Sequence, residues 1–336
     1  MNLRTLFYVL SAIFLGFLIP YLIATYLFNK EVLSPEQQLA NAMWRGSIYS
    51  LFALGYALIF SILGLLNLAH SSVFMWGGYI GLMSVLKLDM PIWVAMPVGM
   101  IGGGLVAVSV DVIAFMPLRR RNAPRISQLI SSIGASVILL SLATLIFSST
   151  PKRFPQDSID ALPGTADKPL TWLLDNANVR ITPIQIAIFV IPIVLMFLLE
   201  YMVNSLKIGK AMRVVAFNQR IARLLSINVG NIFAFTFFLS GVLAGAAGVL
   251  QGLAFNSMTP YMGATVALKG LTVIVLGGLG NIRGAVVGGF LVANIEIMSI
   301  ALGYGWLSDA VVFSSLFLIL LVRPQGLLGE SGKMRA

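Results

Sequence analysis

The segment GKAMRVVAFNQRIARLLSINVGN, residues 209–231, lies between two long apolar stretches of the chain. It contains four charged residues, all of them basic, and Lys207 adds a fifth positive charge just upstream. A segment this polar cannot cross a membrane, whereas the flanking windows at 183–203 and 231–252 each supply the roughly 20 apolar residues that a membrane-spanning helix needs. The segment is therefore predicted to be an extramembrane connection between two membrane-spanning helices.

The composition of the whole chain places it outside the class of soluble proteins. Of its 336 residues, 58% are hydrophobic and only 10% are charged, and the mean hydropathy is +0.94. At about 20 apolar residues per helix, a chain of this composition fills roughly ten spans. We therefore predict an all-α polytopic membrane protein in which residues 1–336 form a single transmembrane domain.

Ten apolar windows can be recognised along the chain. They lie at 6–28, 46–66, 71–87, 91–116, 126–148, 183–203, 231–252, 265–280, 284–303 and 308–322. The third and eighth are short and interrupted by glycine, so each is a candidate for a half-helix that does not cross. The first is longer than the apolar core of a signal peptide, so we interpret it as a retained helix.

The charges of the connections predict the orientation of the chain. The loop at 117–126 contains four arginines, the segment at 204–230 contains five basic residues, and neither contains an acid. The positive-inside rule places such loops in the cytoplasm. With ten spans and a cytoplasmic N-terminus, both loops and the C-terminus fall inside, and the mixed-charge segment at 149–182 falls outside. Both termini are therefore predicted to be cytoplasmic.

Several functional classes find no support in the sequence. The net charge of +10 resides mainly in short loops, which fits the positive-inside rule better than nucleic-acid binding. The chain lacks the phosphate-binding loop GxxxxGK[ST] of ATPases, and GGLGNIRG at 277–284 has Arg283 in place of the third glycine of a dinucleotide-binding motif. It contains no cysteine and hence no thiolate metal ligand. We predict no catalytic residue, no metal site and no cofactor, and so no enzyme.

The basic segment has the pattern of one amphipathic helix, with Gly209 and Gly230 marking its ends. An apolar stripe runs along it at spacings of three and four residues: Val214, Phe217, Ile221 and Leu225. The pattern leaves two interpretations open. The helix either lies on anionic lipid at the membrane surface or inserts its apolar stripe into a groove of a cytosolic partner.

Ionisable residues inside apolar windows are costly and indicate a function or a specific partner. Counted along their helices, Lys269 and Glu296 lie at similar depths in the membrane, so we predict that they pair across adjacent helices. The pair belongs either to the scaffold or to the wall of a transport pathway. Asp111 precedes Arg119 by two helical turns and is predicted to reach toward the arginines as a structural residue.

His70, the only histidine of the chain, follows Asn67 at the break between two apolar windows. The predicted topology places it near the inner face of the membrane. Two roles remain open for it: a buried structural histidine, or a residue that takes part in gating or in substrate binding.

Glycines four residues apart recur in the last third of the chain. The pairs are Gly241 and Gly245, Gly248 and Gly252, Gly280 and Gly284, and Gly284 and Gly288. Such spacing typically allows close helix packing, because glycine removes side-chain bulk from the contact. A hinge or a half-helix near the transport pathway is the alternative.

Four stretches of the sequence resemble the permease subunits of ABC transporters for branched-chain amino acids. The stretch VAFNQRIARLLSINVGNIFAFTFFLSGVLAGAAGVLQG at 215–252 is similar to the cytoplasmic loop and following helix of that family. The others occur in the family's order at 46–81, which contains NLAH, at 126–139, ISQLISSIGASVIL, and at 259–296, which contains GGLGNIRG. The family usually has glycine where this chain has Ser226, and often where it has Ser71.

The resemblance implies a permease subunit of an ATP-driven importer, with the ABC importer permease fold of about ten transmembrane or half-spanning helices. The cytoplasmic loop at 207–230 would contain the coupling helix, which docks in a groove of the ATP-binding subunit and transmits its movements to the membrane helices. The docking residues that the resemblance implies are Arg213, Ala216, Phe217, Asn218, Ala222, Leu225, Ile227, Asn228 and Gly230.

The resemblance also implies partners, a location and a substrate class. Cytosolic ATP-binding subunits, a second permease subunit or a second copy, and a periplasmic solute-binding protein would complete the importer in a bacterial inner (plasma) membrane, with 149–182 as a periplasmic loop. The expected substrates are branched-chain or other neutral amino acids. The alternatives are a permease for urea or short amides and an ion-coupled secondary transporter. Candidates for pathway or gating residues are Asn67, His70, Lys269 and Glu296.

Overall fold

A computed structural model of the chain describes residues 34–155 and 182–329, together with Leu18 and Tyr21. Within these residues the regular structure is helical, and a single antiparallel β-bridge joins Lys152 to Met258. The predicted first helix lies outside the described residues except for Leu18 and Tyr21, which are both helical. Most of the predicted periplasmic loop and the last seven residues of the chain also lie outside them.

Twelve α-helices follow one another in the described part of the chain. They are α1 Pro35–Leu63, α2 His70–Leu88, α3 Ile92–Val110, α4 Met116–Arg120, α5 Arg125–Phe147, α6 Pro183–Ser205, α7 Lys207–Phe217, α8 Gln219–Leu224, α9 Val229–Phe255, α10 Met262–Gly277, α11 Ile282–Ala301 and α12 Ser308–Val322. A π-helical turn, Asp111–Phe115, joins α3 to α4. The two helices and the turn form one continuous helical segment of 29 residues.

Seven of the described helical segments are long and apolar enough to cross a membrane. They contain α1, α3 with α4, α5, α6, α9, α11 and α12. The prediction of an all-α polytopic membrane protein is confirmed, and its number of about ten helices is approximate. The two windows predicted as possible half-helices differ from each other: α2 runs unbroken for 19 residues, whereas α10 has only 16.

The chain divides into two compact units. One comprises residues 1–53, 160–193 and 269–336, and the other comprises residues 54–159 and 194–268. In the second unit α9 packs against α2 and α3. In the first unit α11 packs against α12, and the Ser50 hydroxyl of α1 donates a hydrogen bond of 3.0 Å to the carbonyl of Val286 on α11.

The glycines of α9 lie where its backbone approaches those of α2 and α3. A Cβ atom on Gly248 would overlap the carbonyl oxygen of Phe74 on α2, and one on Gly245 would overlap the carbonyl oxygen of Gly99 on α3. Only a residue without a side chain permits these approaches. The predicted role of these glycines in close helix packing is therefore confirmed.

The glycines of α11 act in the same way within the other unit. A Cβ atom on Gly284 would overlap the carbonyl oxygen of Gly277, and one on Gly288 would overlap that of Val273, both on α10. Gly280 differs, because it lies in the connection between these helices with a φ of +80°, a conformation that side chains disfavour.

Candidate functional site

The basic segment between α6 and α9 forms two short helices, so the prediction of one continuous helix over 209–231 is wrong. The helix breaks at Asn218, whose backbone is extended (φ −159°, ψ 115°). The Asn218 side-chain oxygen accepts hydrogen bonds of 2.8 and 3.3 Å from the backbone N–H groups of Arg220 and Ile221. Asparagine is a preferred N-cap residue, and here it begins a new helix in the middle of the predicted one.

The predicted roles of the two flanking glycines as helix ends are also wrong. Gly209 lies in the first turn of α7, where a Cβ atom would overlap the carbonyl oxygens of Met202 and Val203. Gly230 lies in the first turn of α9. The Arg213 guanidinium donates to the carbonyl oxygen of Val203, so α7 folds back against the last turn of α6.

Large apolar side chains point into solvent from this segment. Phe217 is 73% exposed, Leu224 is 85% exposed, and Ile221 and Leu225 are also exposed. We call these four residues the apolar patch. Ile221 and Leu224 belong to α8, and Leu225 is its C-cap residue. These three residues lie on one side of the helix, because they are spaced by three and four residues. Val214, predicted to share this stripe, is half-buried, and Leu224 was not among the residues predicted for it.

The residues implied as a docking set divide into a surface and a framework. Phe217 and Leu225 belong to the exposed apolar patch, whereas Ala222 is fully buried and holds α8 in place. Ala216 and Ile227 are half-buried, and Gly230 is exposed. Asn228 caps α9, since its side-chain oxygen accepts a hydrogen bond of 3.2 Å from the backbone N–H of Asn231.

Ser226 ends α8 in a conformation that favours glycine. Its φ is +59°, its N–H donates to the carbonyl of Arg223 at 3.1 Å, and the N–H of Ile227 donates to the carbonyl of Ala222 at 3.0 Å. These two bonds define a Schellman motif, in which glycine usually occupies the left-handed position. Serine at this position, where the family usually has glycine, is therefore expected to lower the stability of the turn.

We expect Ser226→Gly to raise the free energy of unfolding by about 1 kcal/mol, because glycine adopts a left-handed φ without the clash of a Cβ atom. Chemical unfolding in mixed micelles measures this difference. Ser226→Val is the matched control and should lower the stability, since β-branched residues tolerate this conformation least. Equal stability of the glycine and valine variants would contradict the prediction.

A cleft of about 600 Å³ opens beside this segment, within the unit formed by residues 54–159 and 194–268. It is lined by Arg119, Arg120 and Arg125 from one predicted cytoplasmic loop and by Arg223 from the other. The two basic loops, separated by about a hundred residues of sequence, therefore meet at one surface. Asp111 forms an ion pair of 2.6 Å with Arg119, as predicted.

A charge network centred on the buried carboxylate of Glu296 lies in the other unit. Lys269 and Glu296 form the predicted ion pair, with 3.0 Å between Nζ and Oε1. Arg45 approaches the same Oε1 at 2.9 Å, and the hydroxyl of Tyr49 donates to Oε2 at 2.7 Å. Lys269 also contacts Asp309 at 2.9 Å. The two positive and two negative charges of this network balance.

Sequence reasoning missed three members of this network. Arg45 lies one residue before an apolar window, and Asp309 lies one residue inside the start of another, so neither stands out as an ionisable residue in the middle of a span. The signal that was available is the spacing of Arg45 and Tyr49, which are four residues apart and therefore face the same way on a helix. Their common partner, Glu296, is about 250 residues away in sequence.

His70 is fully buried at the start of α2. Its Nδ1 lies 3.3 Å from the hydroxyl oxygen of Ser240, and that hydroxyl donates to the carbonyl of Gly55 at 2.9 Å. Nδ1 is therefore the donor to Ser240. The ring of Tyr56 lies 4.6 Å away, centroid to centroid. These contacts favour the structural interpretation of His70, and a gating role stays a prediction.

Asn67 is buried in the connection between α1 and α2. Its side-chain oxygen accepts a hydrogen bond of 3.1 Å from the N–H of Ala69. Its side-chain nitrogen is buried without a hydrogen-bond partner among residues 34–155 and 182–329. Asn67 thus shapes the turn that leads into α2, and its role in a transport pathway stays a prediction.

The comparisons with known proteins define the class. The sequence profile of the branched-chain amino acid transport system permease component matches residues 38–321, and the chain belongs to this family. The chain is 33% identical over 305 residues to the high-affinity branched-chain amino acid transport system permease protein LivH of Salmonella typhimurium, an alignment that covers 88% of this chain and 95% of LivH.

Two further relatives extend the comparison. The corresponding permease protein BraD of Pseudomonas aeruginosa is 34% identical over 309 residues, covering 89% of this chain and 97% of BraD. The ribose import permease protein RbsC of Haemophilus influenzae is 23% identical over 289 residues, covering 81% of each chain. The resemblance stated from the four sequence stretches is confirmed, and neither alternative function, urea or short-amide transport or ion-coupled transport, is favoured.

Proposed function

We propose that this protein is the permease subunit of an ATP-driven importer for branched-chain and other neutral amino acids. It works with cytosolic ATP-binding subunits, a periplasmic solute-binding protein and a second permease subunit or a second copy of itself. It lies in a bacterial inner membrane with both termini in the cytoplasm. The relatives LivH and BraD, whose names state branched-chain amino acid transport, support the substrate class.

The observation that carries this proposal is the apolar patch on α7 and α8. Four large apolar side chains stand exposed in a segment that also bears five basic residues. Burying one such side chain in a partner's groove contributes about 1.5–3 kcal/mol. The break at Asn218 presents Phe217 at the end of one helix and the other three residues on the next, which suits insertion into a groove of the ATP-binding subunit.

Phe217→Asp is expected to abolish capture of the ATP-binding subunit. A charged side chain in an apolar groove loses the burial energy of the phenyl ring and adds a desolvation cost, so binding should weaken at least thirtyfold, or about 2 kcal/mol. The measurement is co-purification of the ATP-binding subunit encoded beside this chain with the tagged permease.

Two variants serve as controls for this experiment. Phe217→Leu keeps an apolar side chain and should retain capture. Asn204→Asp adds the same negative charge at an exposed position of α6, outside the docking set, and should also retain it. Capture by the Phe217→Asp variant at the level of the wild type would contradict the proposed docking surface.

Transport itself is tested with the complete importer in proteoliposomes. Uptake of labelled leucine is expected to require both ATP and the binding protein, and unlabelled isoleucine and valine should compete. Competition by urea instead would indicate the amide alternative. Uptake driven by a proton or sodium gradient without ATP would indicate an ion-coupled transporter.

A further inference from the structure

We call the cleft lined by Arg119, Arg120, Arg125 and Arg223 the arginine cleft. It lies where several membrane-spanning helices end. Four residues at the ends of membrane spans line the cleft. Leu63 and Arg120 are the last residues of the spans formed by α1 and by α3 with α4. Arg125 and Val229 are the first residues of the spans formed by α5 and α9. Since four apolar spans end at one level, the cleft lies at the boundary between the hydrocarbon core and water. The positive-inside rule assigns this boundary to the cytoplasmic leaflet.

The cleft holds an excess of positive charge. Arg119 is paired with Asp111 and lies 4.7 Å from the ring of Phe233, so its charge is largely balanced. Arg120, Arg125 and Arg223 form no ion pair with any carboxylate in the described part of the chain. Three uncompensated guanidinium groups around one cavity favour a bound anion, and arginine is the side chain best suited to phosphate.

A second, independent feature of the cleft is the buried side chain of Gln128. This residue lines the cavity, yet it is only 7% exposed. Its side-chain oxygen is buried and accepts no hydrogen bond from the residues that the structure describes. A buried acceptor without a donor is destabilising, so a donor from a ligand would stabilise this site. The ligand must therefore supply a hydrogen-bond donor as well as a negative charge.

Part of the cleft wall is apolar. Leu63, Leu65, Met116 and Phe233 line it together with the arginines. A ligand that fills the cleft therefore carries a charged end and a hydrocarbon end. A cavity of about 600 Å³ accommodates a phospholipid headgroup and the first carbons of its acyl chains.

We propose that the arginine cleft binds an anionic phospholipid of the phosphatidylglycerol class. The guanidinium groups of Arg120, Arg125 and Arg223 hold the phosphodiester, and a hydroxyl of the headgroup donates to the Gln128 side-chain oxygen. The apolar wall contacts the start of an acyl chain. Basic pockets between transmembrane helices on the cytoplasmic side are a recurrent form of lipid site.

The chemistry of the cleft distinguishes this ligand from others. Phosphatidylethanolamine supplies a donor, but its ammonium group is repelled by the arginines. A carboxylate from a partner protein supplies the charge, but it has no proton to donate to Gln128 when ionised. A lipid with both a phosphodiester and headgroup hydroxyls satisfies both requirements.

A lipid at this position would touch the segment that we propose as the coupling element. Arg223 belongs to α8, and its side chain contributes to the cleft while Leu224 and Leu225 belong to the apolar patch. Occupancy of the cleft would therefore hold α8 against the ends of the membrane helices. The position of the lipid in the cytoplasmic leaflet rests on the topology proposed as part of the function. Lipid binding in the cleft does not depend on capture of an ATP-binding subunit.

The test measures lipid binding by the full chain alone, by native mass spectrometry of the detergent-solubilised protein. The probes are phosphatidylglycerol, phosphatidic acid, phosphatidylcholine and inorganic phosphate. Replacing both Arg120 and Arg223 by glutamine should weaken phosphatidylglycerol binding roughly thirtyfold, at about 1 kcal/mol for each basic residue. The matched control replaces Lys210 and Arg220 by glutamine. These two residues belong to the same loop as Arg223 but do not line the cleft, so the control should leave phosphatidylglycerol binding unchanged.

Gln128→Leu separates a specific site from general attraction between charges. Measured well above the second phosphate pKa of about 6, phosphatidic acid has no hydroxyl that can donate to the Gln128 side-chain oxygen. The variant should therefore lower the preference for phosphatidylglycerol over phosphatidic acid about fivefold to tenfold. Because leucine also removes an unpaired buried acceptor, the fold should tolerate this change.

Four outcomes of the lipid-binding measurements would overturn the proposal. The first two are unchanged phosphatidylglycerol binding in the double arginine variant and a loss of binding in the Lys210 and Arg220 control as large as in that variant. The third is binding of phosphatidylcholine as strong as that of phosphatidylglycerol. The fourth is displacement of the lipid by millimolar inorganic phosphate, which would indicate a site for a soluble anion. Displacement of the lipid by the ATP-binding subunit would assign the arginines to that interface and would also overturn it. Failure of subunit capture with lipid binding intact would count against the proposed function alone.

Discussion

Glu296→Gln is expected to destabilise the protein by about 3–5 kcal/mol. The substitution removes the negative charge that faces Arg45 at 2.9 Å and Lys269 at 3.0 Å, and it leaves both cations in a largely buried site. Lys269 retains its contact with Asp309, whereas Arg45 loses the carboxylate oxygen that its guanidinium contacts. Chemical unfolding in mixed micelles measures the loss.

A second substitution should recover part of that stability. In Glu296→Gln combined with Arg45→Gln, the cation that has lost this carboxylate is removed as well, and Lys269 keeps its contact with Asp309. The double variant should therefore be more stable than Glu296→Gln alone. Asp309→Asn is the matched control: its side chain is 63% exposed, and an exposed ion pair contributes at most about 1 kcal/mol. A double variant less stable than the single one would contradict the proposed balance of charges.

Gly248→Ala is expected to cost about 3 kcal/mol, although it adds only one methyl group. That methyl group would overlap the carbonyl oxygen of Phe74 and lie 3.0 Å from the backbone nitrogen of Gly78. Backbone atoms cannot move aside as a flexible side chain can, so α2 and α9 must separate. The same unfolding measurement gives the loss, which should exceed the usual gain of a helical glycine-to-alanine change.

The control for Gly248 is another helical glycine that packs against nothing. Gly134 lies within α5, and a Cβ atom there would meet no atom within 4 Å. Gly134→Ala should be neutral or raise the stability by up to about 1 kcal/mol, because alanine restricts the unfolded chain and favours the helix. Similar effects at both positions would show that helix propensity, and not the contact of α2 with α9, determines the result.

Hydropathy predicted the membrane helices well because the hydrocarbon core imposes a minimum length of apolar sequence on each span. It was least informative for α2, where glycines suggested an interruption. The structure shows an unbroken helix there, in which Gly77 and Gly78 lie against Gly245 and Gly248 of α9. Sequence alone does not tell a glycine that breaks a helix from one that lets a second helix approach.

Parts of the candidate site could be predicted from the sequence where they depend on neighbouring residues or on the free-energy cost of burying a charge. The cost of burying an ion was enough to pair Lys269 with Glu296, but Arg45 and Asp309 were not found because each lies at the edge of an apolar window. The break at Asn218 escaped notice because the apolar spacing on either side of it continues a helical pattern, although asparagine is itself a capping signal. The arginine cleft depends on tertiary contact between two loops and has no signature in either one.

The π-helical turn at Asp111–Phe115 has a consequence for how relatives are aligned. In a regular α-helix, residues eight apart differ by about 80° in direction, whereas residues seven apart differ by only about 20°. A π turn accommodates one additional residue, so Asp111 and Arg119 meet as though they were seven apart. A family member with a regular helix here would carry its arginine one position earlier. The ion pair and the insertion are therefore expected to be inherited or lost together.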